Sequence, residues 1–368
     1  MKYWLLIGFI YLMINNEIKT MEIEKRTANK NESIFVKSGG FLHTPWRDNY
    51  ALNNTVIPTK KEDATADECN FCKELKSNED DKYYIIERHE HNYVSLAHFP
   101  YTANGHVLIL PKNHVRSLDL MSSEARGEMI EIITDVCNKY KKNHYDLSVG
   151  FNIGKSAGAG IPSHLHGHIV PYLPKEDTNI IDSVQHEDEK RLDLSYIYHH
   201  TKKLLSSPHI INNTGLITHS NLHCHFCSDV NATNDEENFV IKRYKNHLIT
   251  LARQPYTLGH IMISPIKHTN DLSTMSQESR LELIELAAAS CGILKNCMNV
   301  TDFNVGFNMS KNPAVGFSDH LNIQVMPRWN GDTSFIETIG GLKVVSARLK
   351  KMYKDFKKEF EQIEIKNV

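Results

Sequence analysis

The chain has 368 residues, enough for two domains that each bury a core of their own. Its 42 Lys and Arg against 44 Asp and Glu leave a formal net charge of −2, which excludes the strongly basic footprint of a general nucleic-acid binder. The composition is that of a globular protein, with 21 histidines scattered mostly in polar context and only a mild Asn/Lys bias.

Met1-Lys2 and the apolar run Tyr3 to Ile14 have signal-peptide proportions and are too short for a membrane span. No small-x-small cleavage site follows, and Met21 offers an alternative start. Residues 1–40 are read as a flexible leader or signal segment. Cys69-Asn70-Phe71-Cys72 is a C-x-x-C pair of zinc or redox spacing. Residues 83–88, 93–97 and 106–111 are short apolar runs bounded by Asn, Gly and Pro, which predicts consecutive antiparallel strands. Ser122 is placed to cap a helix to about residue 142, with Glu124 in its first turn. Met129, Ile132, Ile133 and Val136 give that helix one apolar face for the sheet. A strand from Leu147 to Ile153 follows.

The stretch Gly150–Tyr172 then organises the rest. Gly154-Lys155-Ser156-Ala157-Gly158-Ala159-Gly160 is too rich in small residues for a regular element and reads as a loop whose N–H groups can meet an anion. His164, His166 and His168 follow at alternate positions, so an extended strand would set three imidazoles in one row. An anion-binding loop leading into a histidine row points to phosphoryl or nucleotidyl transfer.

The chain next repeats itself at an offset of 154 to 156 residues. Cys224-His225-Phe226-Cys227 echoes the first C-x-x-C, Gly259-His260 echoes Gly105-His106, and Pro265-Ile266-Lys267-His268 echoes Pro111-Lys112-Asn113-His114. A helix led by Ser276 echoes the one led by Ser122, and Gly306-Phe307-Asn308 echoes Gly150-Phe151-Asn152. The second row reads His320, Asn322, Gln324, so an amide stands where the first copy has its middle imidazole. Its loop, Ser310–Gly316, carries Pro313 and Val315. Between the copies lie a charged run, His186–Arg191, and a helix to Leu205. A Lys-rich amphipathic helix from about Ser346 to Ile363 is expected to cover the sheet. Cys137, Cys291 and Cys297 fall in apolar helical patterns and are expected in the core.

These motifs resemble the histidine triad (HIT) family, whose signature alternates histidine with apolar residues. The loop GFNIGKSAGAGIPSHLHGHIVP looks most like the branch of the diadenosine tetraphosphate phosphorylases, as does the entry segment Thr44–Tyr50. The likeness runs through nearly all of residues 41–345. Gly167 stands where an apolar residue is usual and Tyr172 where the branch tends to carry Arg. Ala97 stands where the family places a ribose-binding Asn or Asp, with His98 as the available substitute.

The resemblance implies an α+β protein of two tandem HIT-like units, each an antiparallel sheet with a long packed helix, paired as an intramolecular pseudo-dimer. The expected division is a leader 1–40, a catalytic unit 41–175, a linker 176–220, a degenerate unit 221–345 and a basic helix 346–368. His166 maps to the nucleophile, with His164 and His168 as its row neighbours. Asn152, Gly154, Ser156, Gly158, Gly160, Ser163 and His98 are the expected substrate contacts, and loop N–H groups from Gly158 to Ile161 the expected stabilisers of phosphate charge. Each copy also keeps two cysteines and two histidines: Cys69, Cys72, His114, His164, and Cys224, Cys227, His268, His320. Two thiolates and two imidazoles satisfy tetrahedral zinc and leave no open position, so one structural zinc per unit is expected and no organic cofactor. The expected activity is hydrolysis or transfer at the α-phosphate of a dinucleoside polyphosphate or nucleotide conjugate, through a nucleotidyl-histidine. The alternative is a non-enzymatic nucleotide-binding or interaction module. No nucleic-acid or membrane partner is expected, and zinc-type thiols favour the cytoplasm.

Overall fold

A computed structural model describes residues 64–102, 104–172, 194–206, 224–253, 255–309, 319–330 and 349–365. The leader 1–40, Thr44–Tyr50, His186–Arg191, the second loop Ser310–Gly316 and most of the segment after Asn330 lie outside these residues. The first unit contains α1 (Asn70–Ser77), β1 (Ile85–Arg88), β2 (Asn92–Leu96), β3 (Val107–Pro111), α2 (Ser123–Lys142), β4 (Asp146–Ile153) and β5 (Gly167–Tyr172). After α3 (Leu194–Leu205) the second contains α4 (His225–Asn231), α5 (Asp235–Asn238), β6 (Val240–Arg243), β7 (His247–Leu251), β8 (Ile261–Pro265), α6 (Gln277–Met298), β9 (Asp302–Met309) and β10 (Ile323–Arg328), followed by α7 (Leu349–Glu361).

Local chemistry starts each long helix where the sequence places it. Ser122 Oγ accepts the Ala125 N–H at 3.2 Å, and Ser276 Oγ accepts the Ser279 N–H at 3.1 Å; such a cap contributes about 1 kcal/mol. One glutamate per helix then fixes it against a hairpin. Glu128 accepts the N–H groups of Glu90 and His91 at 2.8 and 2.9 Å and Asn92 Nδ2 at 2.7 Å. Glu282 accepts the Asn246 N–H at 3.0 Å and Asn246 Nδ2 at 2.8 Å, and lies 3.1 Å from His247 Nδ1.

The strands form one antiparallel sheet in the order β1-β2-β3-β5-β4-β9-β10-β8-β7-β6. That order reads alike from either end, and the halves join where β4 pairs with β9, with Gly150 opposite Gly306. The helix layer is reciprocal too. Arg126 of α2 pairs with Glu285 of α6 at 2.8 Å while Arg280 of α6 pairs with Glu131 of α2 at 2.7 Å. Lys141 meets Asp271 as Lys295 meets Asp119. Self-complementary contacts of this kind are what a two-fold interface produces. The fold is thus α+β, with two tandem units.

Side chains from β2, β3, β4 and β5 that face α2 are buried, among them Val94, Leu96, Val107, Ile109, Val149 and Ile169. A smaller cluster of Ile85, Tyr93, Ala97, Leu108 and Leu110 packs with Phe71, Leu75 and Tyr83. β2 and β3 are therefore buried along their whole length.

Two sequence expectations change. The helix read as part of a linker is an element of the repeat. Tyr198 of α3 and Tyr353 of α7 are 155 residues apart, and each accepts from the lysine four residues on, Lys202 at 2.8 Å and Lys357 at 3.1 Å. α3 seals β1 through Tyr198 Oη, which donates to Ile85 O at 3.0 Å. α7 buries Tyr353, Phe356 and Phe360, and the Phe360 and Ile363 carbonyls accept from Lys242 of β6. Cys137 and Cys291 are buried as expected, but Cys297, in the last turn of α6, is exposed. No helix among the described residues is long and apolar enough to cross a membrane.

Candidate functional site

β5 begins at Gly167, so only His168 of the row lies in the strand. His164 closes a turn, its N–H on Ile161 O at 3.4 Å, and His166 lies in the irregular lead-in, held by the Leu165 N–H on Val115 O at 2.6 Å. His166 is 5% exposed, and its Nδ1 lies 2.8 Å from His164 O. A carbonyl can only accept, so Nδ1 carries the proton and Nε2 keeps its lone pair. Burial depresses the His166 pKa, which keeps the ring neutral and nucleophilic.

His168 is oriented by His106, to which the sequence pattern assigns no role. The Tyr101 N–H donates to His106 Nδ1 at 3.1 Å, which puts the His106 proton on Nε2. That Nε2 lies 3.1 Å from His168 Nδ1, so the proton of a neutral His168 sits on Nε2. The rings of His166 and His168 stand 5.1 Å apart and nearly perpendicular. Repetition was the available signal for His106: Gly-His recurs at Gly259-His260, where the Tyr256 N–H reaches His260 Nδ1 at 3.3 Å.

The glycine-rich loop leaves β4 through Gly154 (φ +81°) and turns again at Gly158 (φ +86°). Its N–H groups are partly spent. Gly158 donates to Lys155 O at 3.0 Å, Ala159 to Gly154 O at 3.2 Å, and Ser156 to Asp302 Oδ2 at 2.6 Å. The expected cradle from Gly158 to Ile161 therefore loses its first two donors to the turn itself, since a loop this tight must satisfy its own backbone. Ser163, directly before the row in sequence and 4% exposed, has a buried hydroxyl with no protein partner among the described residues. Asn152 Oδ1 accepts from Asn304 Nδ2 at 2.8 Å. His98 contacts the Tyr83 carbonyl at 3.3 Å and the Tyr84 ring at 5.6 Å, and Ala97 is buried in the cluster with Leu108.

Gly167 has a local cause. It pairs with Phe151 across β4–β5, and a Cβ there would meet the Phe151 ring at 2.6 Å. Gly167→Ala is expected to cost about 1–3 kcal/mol through overpacking, and Phe151→Leu in the same chain should recover part of it. Thermal melts of the single and double variants check this.

The two Cys/His sets are each assembled, with donor atoms all within 4.8 Å of one another. In the first, Cys69 to His164, Cys72 to His114 and Cys72 to His164 all measure 3.4 Å from Sγ to Nδ1. In the second, Cys224 to His320 and Cys227 to His268 are 3.2 Å, and Cys227 to His320 is 3.7 Å. The edge of a tetrahedron with zinc-type bond lengths is about 3.5 Å. His164 and His320 turn their Nε2 to Pro111 O and Pro265 O at 2.9 and 2.8 Å, which leaves the Nδ1 lone pairs facing the sulfurs. Burial lowers both histidines to about 4. It pushes Cys72 up to about 12 and Cys227 up to about 11. Thiolates are thus costly here without a cation, and both sets suit a divalent metal.

The second row keeps the backbone device without the chemistry. Asn322 Nδ2 donates to His320 O at 3.0 Å, as His166 does to His164 O. Arg253, at the position of His98, pairs with Asp229 at 2.6 Å and reaches Asn238 Oδ1 at 2.9 Å.

Comparison with known proteins decides the family of the first unit. A family model described as HIT domain matches residues 78–174. The first unit is a HIT domain. Residues 211–329 match a second family model, described as protein similar to CwfJ C-terminal. An AP-4-A phosphorylase of Mycobacterium tuberculosis is 32% identical over 123 residues, 33% of this chain. The match spans 63% of that relative's length. A solved uridylyltransferase superposes with a TM-score of 0.54 at 12% identity, covering 76% of this chain and 87% of its own. An ADP-glucose phosphorylase from Arabidopsis thaliana gives 0.52 at 13%, covering 77% and 85%. At such identities these two structures speak for the fold, and they extend it across both the HIT domain and the second unit.

Proposed function

We propose that the HIT domain, with a catalytic unit over residues 41–175, cleaves a dinucleoside polyphosphate or related nucleotide conjugate at its α-phosphate. The observation that carries this reading is the tautomer of His166, neutral and held at Nδ1 by the His164 carbonyl, which leaves the lone pair on Nε2. Nε2 attacks the α-phosphorus in line and forms a P–N bond while the P–O bond to the leaving group breaks. The leaving polyphosphate departs as its anion, with the N–H at His168 Nε2 donating a hydrogen bond to it, and His106 keeps that tautomer in place. Ser163 and the N–H groups of the loop not used in its turn offset charge on the non-bridging oxygens. Water or inorganic phosphate then attacks phosphorus and releases His166. The kinship with an AP-4-A phosphorylase supports a diadenosine polyphosphate as substrate.

Each unit takes one structural zinc in this reading, which holds the C-x-x-C turn against the lead-in to the row. The pairing of the halves as a pseudo-dimer is supported by the reciprocal contacts of α2 and α6. Thiol ligands of this kind fit a reducing compartment, and we place the protein in the cytoplasm.

A panel of dinucleoside polyphosphates and nucleotide sugars, each with and without inorganic phosphate, tests the reading. Diadenosine tetraphosphate is expected to give ATP with ADP when phosphate is the acceptor, or ATP with AMP when water is. The second reading, a binding module without turnover, draws on Ala97 and on the Arg253–Asp229 pair in the second unit. Nucleotide binding with no turnover of any panel member would establish it.

A further inference from the structure

We propose that the second unit, which has no nucleophile of its own, positions the phosphate loop of the first, through Asp302 and Asn304 of β9. The inference rests on the nucleotidyl-transfer reading of that loop and adds two positioning residues from outside the HIT domain.

The placement follows from the register. β9 runs beside β4 with Phe303 opposite Ile153 and Asn304 opposite Asn152, so the start of β9 lies where the loop leaves the sheet. Asp302 grips the loop first. Its Oδ2 accepts the Ser156 N–H at 2.6 Å, and Thr301 Oγ1 donates to its Oδ1 at 3.0 Å, which fixes the carboxylate. A Cβ on Gly154 would lie 2.1 Å from that Oδ1. The carboxylate thus packs on bare glycine backbone, and Gly154 is required by its neighbour as well as by its positive φ.

Asn304 grips the loop a second time. Its Nδ2 donates to Ala157 O at 3.0 Å and to Asn152 Oδ1 at 2.8 Å. Arg328 Nη1 donates to Asn304 Oδ1 at 2.7 Å. A guanidinium can only donate, so the amide orientation is set.

The bonds of Gly158 and Ala159 close the turn upon itself and do not tie it to the sheet. Asp302 and Asn304 supply that tie, at two consecutive loop residues. The duplication makes the point sharper. The position of Asn304 is held in β4 by Ser148, whose Oγ donates to Asn308 Oδ1 at 2.8 Å. The longer amide that reaches a loop carbonyl thus lies on the strand beside the armed site. An anion cradle lowers a barrier only if its donors stand in place before charge develops, and a displacement on the order of 1 Å can cost about a hundredfold.

The test compares Asp302→Ala, Asn304→Ala and Asp302→Asn in the full chain. Steady-state kinetics with diadenosine tetraphosphate is paired with hydrogen–deuterium exchange of the peptide spanning 154–163. Both alanine variants should lose about ten- to a hundredfold in kcat with a smaller change in KM. Exchange should rise in the loop peptide while peptides of α6 and β10 stay as in the parent. Asp302→Asn, which keeps an acceptor oxygen, should recover most of kcat. Parental loop exchange in Asp302→Ala overturns the proposal whatever the activity, as does a rise spread evenly over the chain. A parent that turns over no nucleotide defeats the reaction reading instead, and loop exchange still decides the role of Asp302.

Discussion

His166→Ala is expected to lower turnover by about a thousandfold or more, while Asn322→Ala leaves it within about twofold. The two residues sit in the same backbone frame, each donating to the carbonyl two residues back at 2.8 and 3.0 Å. Only the imidazole has a second nitrogen with a lone pair to offer phosphorus. The amide nitrogen of Asn322 is delocalised into its carbonyl and is not a nucleophile, so removing it takes away packing and no chemistry. Rapid quench with a slow substrate should trap an acid-labile nucleotide on His166 of the parent and none on the variant. Equal losses in both variants would dismiss a single site. Turnover without a trapped adduct would point to direct attack by water.

Loss of zinc is expected to have the second large effect. Elemental analysis of the purified chain is expected to show two zinc ions, one per unit. His320→Ala and Cys227→Ser should each lose one of them and about 3 kcal/mol or more, seen as a fall in melting temperature of roughly 5–10 °C. These variants keep the nucleophile and should retain most of kcat at low temperature. His164→Ala is different in kind. His164 faces Cys69 and Cys72 with its ring, and its carbonyl holds His166 Nδ1. Loss of the first metal should therefore loosen the lead-in and depress kcat together with stability. A zinc-free chain, or variants that melt like the parent, would refute the ligand assignment.

Much of the first site was readable because its parts are close in sequence. Loop and histidine row fall within Gly150–Tyr172, and alternation and glycine content are local properties. The members of the two Cys/His sets are farther apart, but the duplication pointed to them, since His320 survives where its row neighbours do not. Repetition marks His106, as Gly259-His260 matches Gly105-His106, but its role escapes any sequence pattern. Its role exists only once β3 lies beside β5 and Leu108 pairs with His168. The spent loop donors escaped for a similar reason, as a glycine run does not say which N–H groups its own turn consumes.

The sequence by itself determined the repeat, the capped helices, the strand pattern, the histidine row and the amide that replaces its middle imidazole in the second copy. Each of these depends on residue type and short spacing, which fix propensity, face and chemistry before any distant contact forms. Only the tertiary structure decided that α3 belongs to the first repeat, that His106 fixes the tautomer of His168, and that Asp302 reaches Ser156. These depend on which strands become neighbours. The β4–β9 pairing joins residues about 150 positions apart through backbone hydrogen bonds that any sequence can make, so side-chain identity alone could not announce it.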